Sequence, residues 1–141
     1  MSLLNMSKNI KEIHKEYVCL YKVGTFYRVY GKDAYIISYL FGYNVKIEKE
    51  NIYSCGFPTT ALARIMSKLD MKKVNYITLD VRNEYDVDYK QDNGNLNTYN
   101  EILEKSTRYV KLKRRVDEIT IALLENLEKD DIKEKIRKIE D

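Results

Sequence analysis

The sequence has few of the residues that most often announce chemistry: one histidine, two cysteines, one proline, five glycines and no tryptophan. His14 by itself cannot build a His-based metal site or a Ser/His/Asp triad. Cys19 and Cys55 lie far apart among apolar and aromatic neighbours and match no metal or redox spacing, so they read as buried thiols. A Gly-x-x-x-x-Gly-Lys-Ser/Thr phosphate loop is absent, which excludes a nucleotide-hydrolysing motor of that type. Asp86 and Asp88 share a strand face at i, i+2 but have no Glu-x-Lys partner, and they read as solvated edge charges rather than a metal pair. No catalytic residue, cofactor or metal is therefore expected, and the chain is not expected to be an enzyme. No apolar run approaches the roughly 20 residues of a spanning helix. Met1 to Asn9 lack the basic-then-apolar pattern of a secretory signal, so a cytoplasmic location is expected.

A strong charge of one sign is missing too, with 25 Lys+Arg against 22 Asp+Glu in 141 residues. The distribution says more than the sum. Residues 1–80 carry 12 basic and 7 acidic side chains, whereas residues 101–141 carry 11 of each. Tyrosine is abundant, with 13 copies. At about this length folding removes roughly two-thirds of the unfolded chain's surface from water, enough for one core without disulfides.

Along the chain, Ser7 is placed to cap a short helix running to about Glu16, with Ile10, His14 and Tyr17 on one side. Tyr17 to Val23 and Phe26 to Tyr30, rich in β-branched and aromatic residues and joined by Gly24-Thr25, predict a β-hairpin. Asp33 starts a helix with Ala34, Ile37, Leu40 and Phe41 at a 3.6 period, and Gly42 ends it. Asn44 to Glu48 and Tyr53 to Phe57 read as strands. After Pro58, Thr59 or Thr60 can cap a helix carrying Leu62, Ile65, Met66 and Leu69 on one face. Val74 to Asp80 is apolar in both phases, as in a strand covered on both sides. Glu84 to Lys90 suits a polar edge strand, and Gln91 to Asn95 is a turn-rich break. The pattern predicts a mixed α/β domain over residues 1–90 and a helical extension over residues 91–141.

In the extension, Ile102, Tyr109, Val116 and Leu123 recur every seven residues, with Leu112 and Ile119 between them. Tyr109, Leu112, Val116, Ile119 and Leu123 are thus candidate interface residues for docking or dimerisation. A turn at Glu128 to Asp131 is expected, followed by a helix with Ile132, Ile136 and Ile139 on one face and capping-box spacing at Asp131 and Glu134. That arrangement predicts a C-terminal helical hairpin. Lys105 to Arg115 holds six basic residues and no acid, and Arg108, Lys111 and Arg115 fall on one helix side at i, i+3 and i+7. This stripe is either a phosphate-binding surface or a charged exterior beside the apolar seam.

The stretch Leu20-Tyr21-Lys22-Val23-Gly24-Thr25-Phe26-Tyr27-Arg28-Val29-Tyr30, followed by Lys32-Asp33-Ala34, resembles the start of the N-terminal mismatch-recognition domain of the MutS family. There an apolar strand leads into a Gly-Asp-Phe-Tyr-Glu turn and an acidic-Ala helix start. Cys55-Gly56-Phe57-Pro58-Thr59-Thr60-Ala61-Leu62 and the helix and strand after it are similar to that family's Gly-Ile-Pro, helix, strand block. The two blocks keep the family's order and spacing over about Lys8 to Asp80. The resemblance implies a small mixed β-sheet flanked by helices, an α+β fold. It also implies that Phe26 occupies the position of a wedge that stacks on a mispaired base. The family's Glu is replaced by Arg28, and its usual Asp by Thr25. A cation in place of the acid favours phosphate or a narrow minor groove over a base edge. From periodicity alone Phe26 could equally pack across the hairpin.

The expected function is a non-enzymatic nucleic-acid-binding module, an accessory to DNA repair, recombination or a mobile element. Its candidate contacts are Phe26, Arg28, Lys22, Lys32, Arg64, Arg108, Lys111 and Arg115. Duplex DNA is the first expected partner and RNA a second, with self-association or a larger complex through the C-terminal helices and no membrane. The alternative is a protein–protein interaction adaptor acting through those helices.

Overall fold

The computed structural model describes the backbone of residues 2–140, together with their side chains apart from Glu50 and residues 129–140. Two compact units are present, Met1–Thr107 and Arg108–Asp141. The first is built on a six-stranded mixed sheet in the order β3-β4-β2-β1-β5-β6. Its elements are α1 (Leu3–Ile13), β1 (Val18–Val23), β2 (Phe26–Tyr30), α2 (Lys32–Phe41), β3 (Lys46–Ile47), β4 (Tyr53–Pro58), α3 (Leu62–Met71), β5 (Tyr76–Asp80) and β6 (Val87–Gln91), and it includes the first turns of α4 (Leu96–Glu140). This is the expected α+β class.

The β1–β2 hairpin forms as its sequence predicts, because Gly24 takes a positive φ of 62° that a tight two-residue connection needs at its first position. β1 then pairs parallel with β5, Val18 beside Tyr76 and Leu20 beside Thr78, which explains why β5 is apolar in both phases. β5 is buried along its whole length. Gly42, at φ 78°, ends α2 in the left-handed conformation and returns its N–H to the Ser38 carbonyl at 2.8 Å.

Period-two alternation divides the sheet into two faces. One carries Val18, Leu20, Tyr27, Val29, Phe57 and Tyr76 under α2, α3 and Tyr99 of α4. The other carries Cys19, Tyr21, Ile77 and Leu79 under Ile10 and Leu3 of α1. Cys19 and Cys55 are free and buried, and burial pushes the Cys55 thiol up to about 12 and the Cys19 thiol higher still. Both are thus protonated at neutral pH.

Three expectations change. Helix α1 begins four residues before Ser7: Ser2 is its cap, accepting from the Asn5 N–H at 3.2 Å, while Ser7 sits inside and donates back to the Leu4 carbonyl at 2.6 Å. Neither Thr59 nor Thr60 caps α3 through its side chain, because a 3-10 turn over Thr59–Ala61 leads into the helix. The expected C-terminal hairpin is a single helix: α4 runs from Leu96 to Glu140 with no turn at Glu128 to Asp131. No glycine or proline interrupts that stretch, and Glu128, Lys129, Asp130 and Asp131 are all compatible with continued helix. The face expected from Ile132, Ile136 and Ile139 lies outside the described side chains. At its start, Asn95 accepts from the Thr98 N–H at 3.0 Å, and the Asn95 N–H donates to the Thr98 hydroxyl at 3.4 Å, a reciprocal cap.

Asp33, only 3% exposed, joins the elements around the sheet. Its carboxylate accepts from the Cys19 N–H of β1 at 3.1 Å, the Lys11 ammonium of α1 at 2.8 Å and the Tyr99 hydroxyl of α4 at 2.6 Å. Lys11 also lies 4.4 Å from the centre of the Tyr99 ring. Removing the carboxylate strands a cation and a hydroxyl, so Asp33→Ala should destabilise the fold by about 3–5 kcal/mol and Tyr99→Phe by about 1–2 kcal/mol. Denaturant titration followed by circular dichroism checks the order; equal midpoints for wild type and Asp33→Ala would contradict it.

Candidate nucleic-acid interface

The alternation that buries Tyr27 and Val29 turns Phe26, Arg28 and Tyr30 to the opposite side of β2. Tyr27 stacks on Phe57 with ring centres 5.4 Å apart, while Phe26, at the first position after the turn, is 53% exposed. The Phe26 ring is thus outside the core. Helix α1 covers this face at the Cys19, Tyr21 and Ile77 end and leaves the Phe26 end open.

Strand register fixes the neighbours. Phe26 lies between Val23 of β1 and Pro58 of β4, and Arg28 lies between Tyr21 and Gly56. A Cβ on Gly56 would come within 3.1 Å of the Tyr27 carbonyl, so close strand approach favours glycine here. Its missing side chain leaves bare backbone beside Arg28. In the next row, Tyr30 is opposite Ser54, which is in turn opposite Lys46 of β3. Phe26, Arg28, Lys46, Glu48, Ser54 and Gly56 all line a shallow cavity of about 390 Å³.

Electrostatically this face is a cation beside an aromatic. Arg28 and Lys46 are exposed, and Glu48, the one carboxylate among the described residues lining the cavity, accepts a hydrogen bond from the Ser54 hydroxyl at 2.7 Å. Burial pushes the Tyr30 hydroxyl above the usual phenol range, and the adjacent Arg28 guanidinium offsets part of that rise. Arg28 is therefore within interaction range of Tyr30 along the strand.

The other expected contacts fall elsewhere. Lys22 is in register with Tyr27 and Asp80, on the opposite sheet face from Phe26 and Arg28. Arg64 belongs to the α2–α3 layer, where it donates to the Tyr43 hydroxyl at 2.8 Å and lies 5.8 Å from the Phe41 ring centre. Lys32 opens α2 beyond the far end of β2 from Phe26. The physical reason is topological: sequence proximity to the turn does not survive strand alternation and the crossing of layers. Lys46, which the sequence reading passed over, joins Arg28 only through the β3–β4–β2 pairing. In the second unit, Arg108, Lys111 and Arg115 are exposed, as are Leu112, Val116, Ile119 and Leu123, while Tyr109 is half-buried. Among the described residues no helix is long and apolar enough to cross a membrane.

The mixed sheet, the glycine-turned hairpin and the Pro58-led helix define a small α+β domain. The family described as MutS domain I matches residues 2–83, more than half of the chain, and the protein belongs to that family. Among curated proteins none matches the sequence.

The two side chains at the hairpin tip should separate cleanly in stability. Phe26→Ala should change unfolding free energy by less than about 1 kcal/mol, as a surface substitution does. Tyr27→Ala should cost about 3–5 kcal/mol, as deletion of a buried aromatic does. Urea titration of both variants makes the comparison, and a large loss in Phe26→Ala would place that ring in the core.

Proposed function

We propose that this chain is a nucleic-acid-binding module in which Phe26 enters the minor groove and Arg28, with Lys46, engages the flanking phosphates. The observation that carries the reading is the exposed Phe26 ring beside Arg28 on an open sheet face, in a chain of the MutS domain I family. A wedge between base steps costs a few kcal/mol of unstacking, which mismatched or flexible steps reduce. The Arg28 guanidinium offers only donors, so it favours phosphate and groove potential over reading a base edge. Arg108, Lys111 and Arg115 supply a second, sequence-independent contact to the backbone. Duplex DNA is the primary partner, and the module serves as an accessory to a larger repair, recombination or mobile-element assembly rather than as an enzyme.

The test is binding to matched duplex, mismatched duplex, single-stranded DNA and RNA at two salt concentrations. Phe26→Ala should lose on the order of tenfold in duplex affinity, the scale of one stacking contact. Arg28→Ala should weaken binding and make the salt dependence shallower by about one unit of log–log slope. Absence of binding to every probe at low salt would overturn the reading in favour of an adaptor.

A second reading rests on the exposed apolar stripe Leu112, Val116, Ile119 and Leu123. Its occupant is a second copy of α4 in antiparallel orientation. Lys105 to Arg115 carries six bases and no acid, whereas Val116 to Glu128 carries Asp117, Glu118, Glu125 and Glu128 and no base. Antiparallel pairing sets the basic segment of one copy against the acidic segment of the other, and parallel pairing sets like against like. Analytical ultracentrifugation should find a dimer that Leu112→Glu with Ile119→Glu converts to monomer. A wild-type monomer at high concentration would remove this interface.

A further inference from the structure

We infer that Asn93-Gly94, between β6 and α4, is a site of spontaneous deamidation that the folded unit holds closed, and that conversion there releases the start of α4. Of the five glycines only Gly94 follows an asparagine. In an open chain that pair is reactive, because glycine has no side chain to hinder its own nitrogen. The Gly94 nitrogen forms a bond to the carbonyl carbon of the Asn93 side chain, and the side-chain nitrogen leaves as ammonia with the proton of the Gly94 N–H. Water then opens the resulting succinimide at either carbonyl, giving aspartate or isoaspartate. Water is the one co-reactant.

Packing imposes both residues. A Cβ on Gly94 would collide with the Lys73 carbonyl and press on the Thr98 hydroxyl at 2.9 Å, so this close approach requires glycine. Asn93 uses its whole side chain: the amide nitrogen donates to the Asp70 carboxylate at 2.7 Å and the Val74 carbonyl at 3.0 Å, and the oxygen accepts from the Gln91 amide at 3.1 Å. These bonds tie the segment before α4 to the turn between α3 and β5. The reactive pair is thus a consequence of how that joint is made.

The same contacts stop the reaction. The Gly94 N–H, the attacking nitrogen, donates to the Asn75 side-chain oxygen at 2.7 Å, and the Asn93 N–H donates to the same atom at 2.6 Å. Asn75 is only 2% exposed, so water does not take its place. With its nitrogen turned to Asn75 and its leaving amide held on two acceptors, the pair reacts only when residues 91–95 open, at a rate set by the open fraction. Conversion is one-way. Aspartate has an oxygen where Asn93 had its donor, so a second carboxylate faces Asp70, which also accepts from the Tyr76 hydroxyl at 3.0 Å, and an acceptor faces the Val74 carbonyl. Isoaspartate adds a main-chain methylene and displaces both N–H groups from Asn75. The Asn95 cap and Tyr99, which closes on Asp33, follow directly, so the start of α4 loses its anchorage.

The test is incubation of the full chain at mildly alkaline pH, with and without denaturing urea, followed by peptide mapping of Asn93 by mass spectrometry. Asn93 should convert at least about tenfold more slowly in the folded chain than in urea. Asn75→Ala, which removes the acceptor of the Gly94 N–H, should narrow that ratio; where circular dichroism shows this variant unfolded, the wild-type ratio decides. The product is tested directly by Asn93→Asp, which should lower the thermal midpoint by about 5 °C or more. Asn97→Asp, the same chemical change at an exposed position in the first turn of α4, should move it by less than about 2 °C. Equal conversion rates with and without urea, no conversion in urea, or an Asn93→Asp midpoint equal to wild type would overturn the proposal.

Discussion

The Asp33 carboxylate is the point at which the architecture closes. A buried charge is tolerated only where donors replace water, and here three do so from three different elements: the Cys19 N–H of β1, Lys11 of α1 and Tyr99 of α4. Its place in the first turn of α2 adds the favourable end of that helix's dipole. Breaking such a cluster costs more than the intact cluster contributes, because removing one partner leaves the others buried and unpaired. Helix α1 is thereby held on one sheet face and the start of α4 on the other.

The second constraint is the alternation of β2. Tyr27 and Val29 are committed to the core with Phe57, and this commitment forces Phe26 and Arg28 outward whatever their own preference. A register slip of one residue would exchange the two sets, and the core would lose two large apolar groups. The exposed aromatic is therefore fixed in place by the buried one beside it. Gly56 completes the arrangement, because a side chain there would press on the Tyr27 carbonyl and fill the space next to Arg28.

What was legible in the sequence is what local chemistry decides. The Gly24-Thr25 connection, the Gly42 stop and the two-phase apolar run of β5 each carry their cause within a few residues, and all three formed as expected. The order of the strands was not legible, and with it went the placement of Lys22, Arg64 and Lys46. Arg64 and Arg28 look like one basic set in a charge count, yet the sheet lies between them. The Asp33–Tyr99 bond joins residues 66 apart with no pattern to announce it. Capping spacing at Asp131 and Glu134 misled for the opposite reason: a cap signal acts only where the preceding helix is ready to end, and no glycine or proline ends α4.

If the hairpin turn binds nucleic acid as proposed, Arg28 in place of the family's acid has a consequence beyond the sign of one charge. An acid beside a wedge must find a specific donor on a base or be repelled by the phosphates, so it makes binding conditional on what the wedge meets. A guanidinium is attracted to every phosphate within reach and lowers the energy of all complexes together. On the proposed reading, discrimination then falls to the deformation that a Phe26 wedge imposes, which varies with the flexibility of the step rather than with the identity of the base.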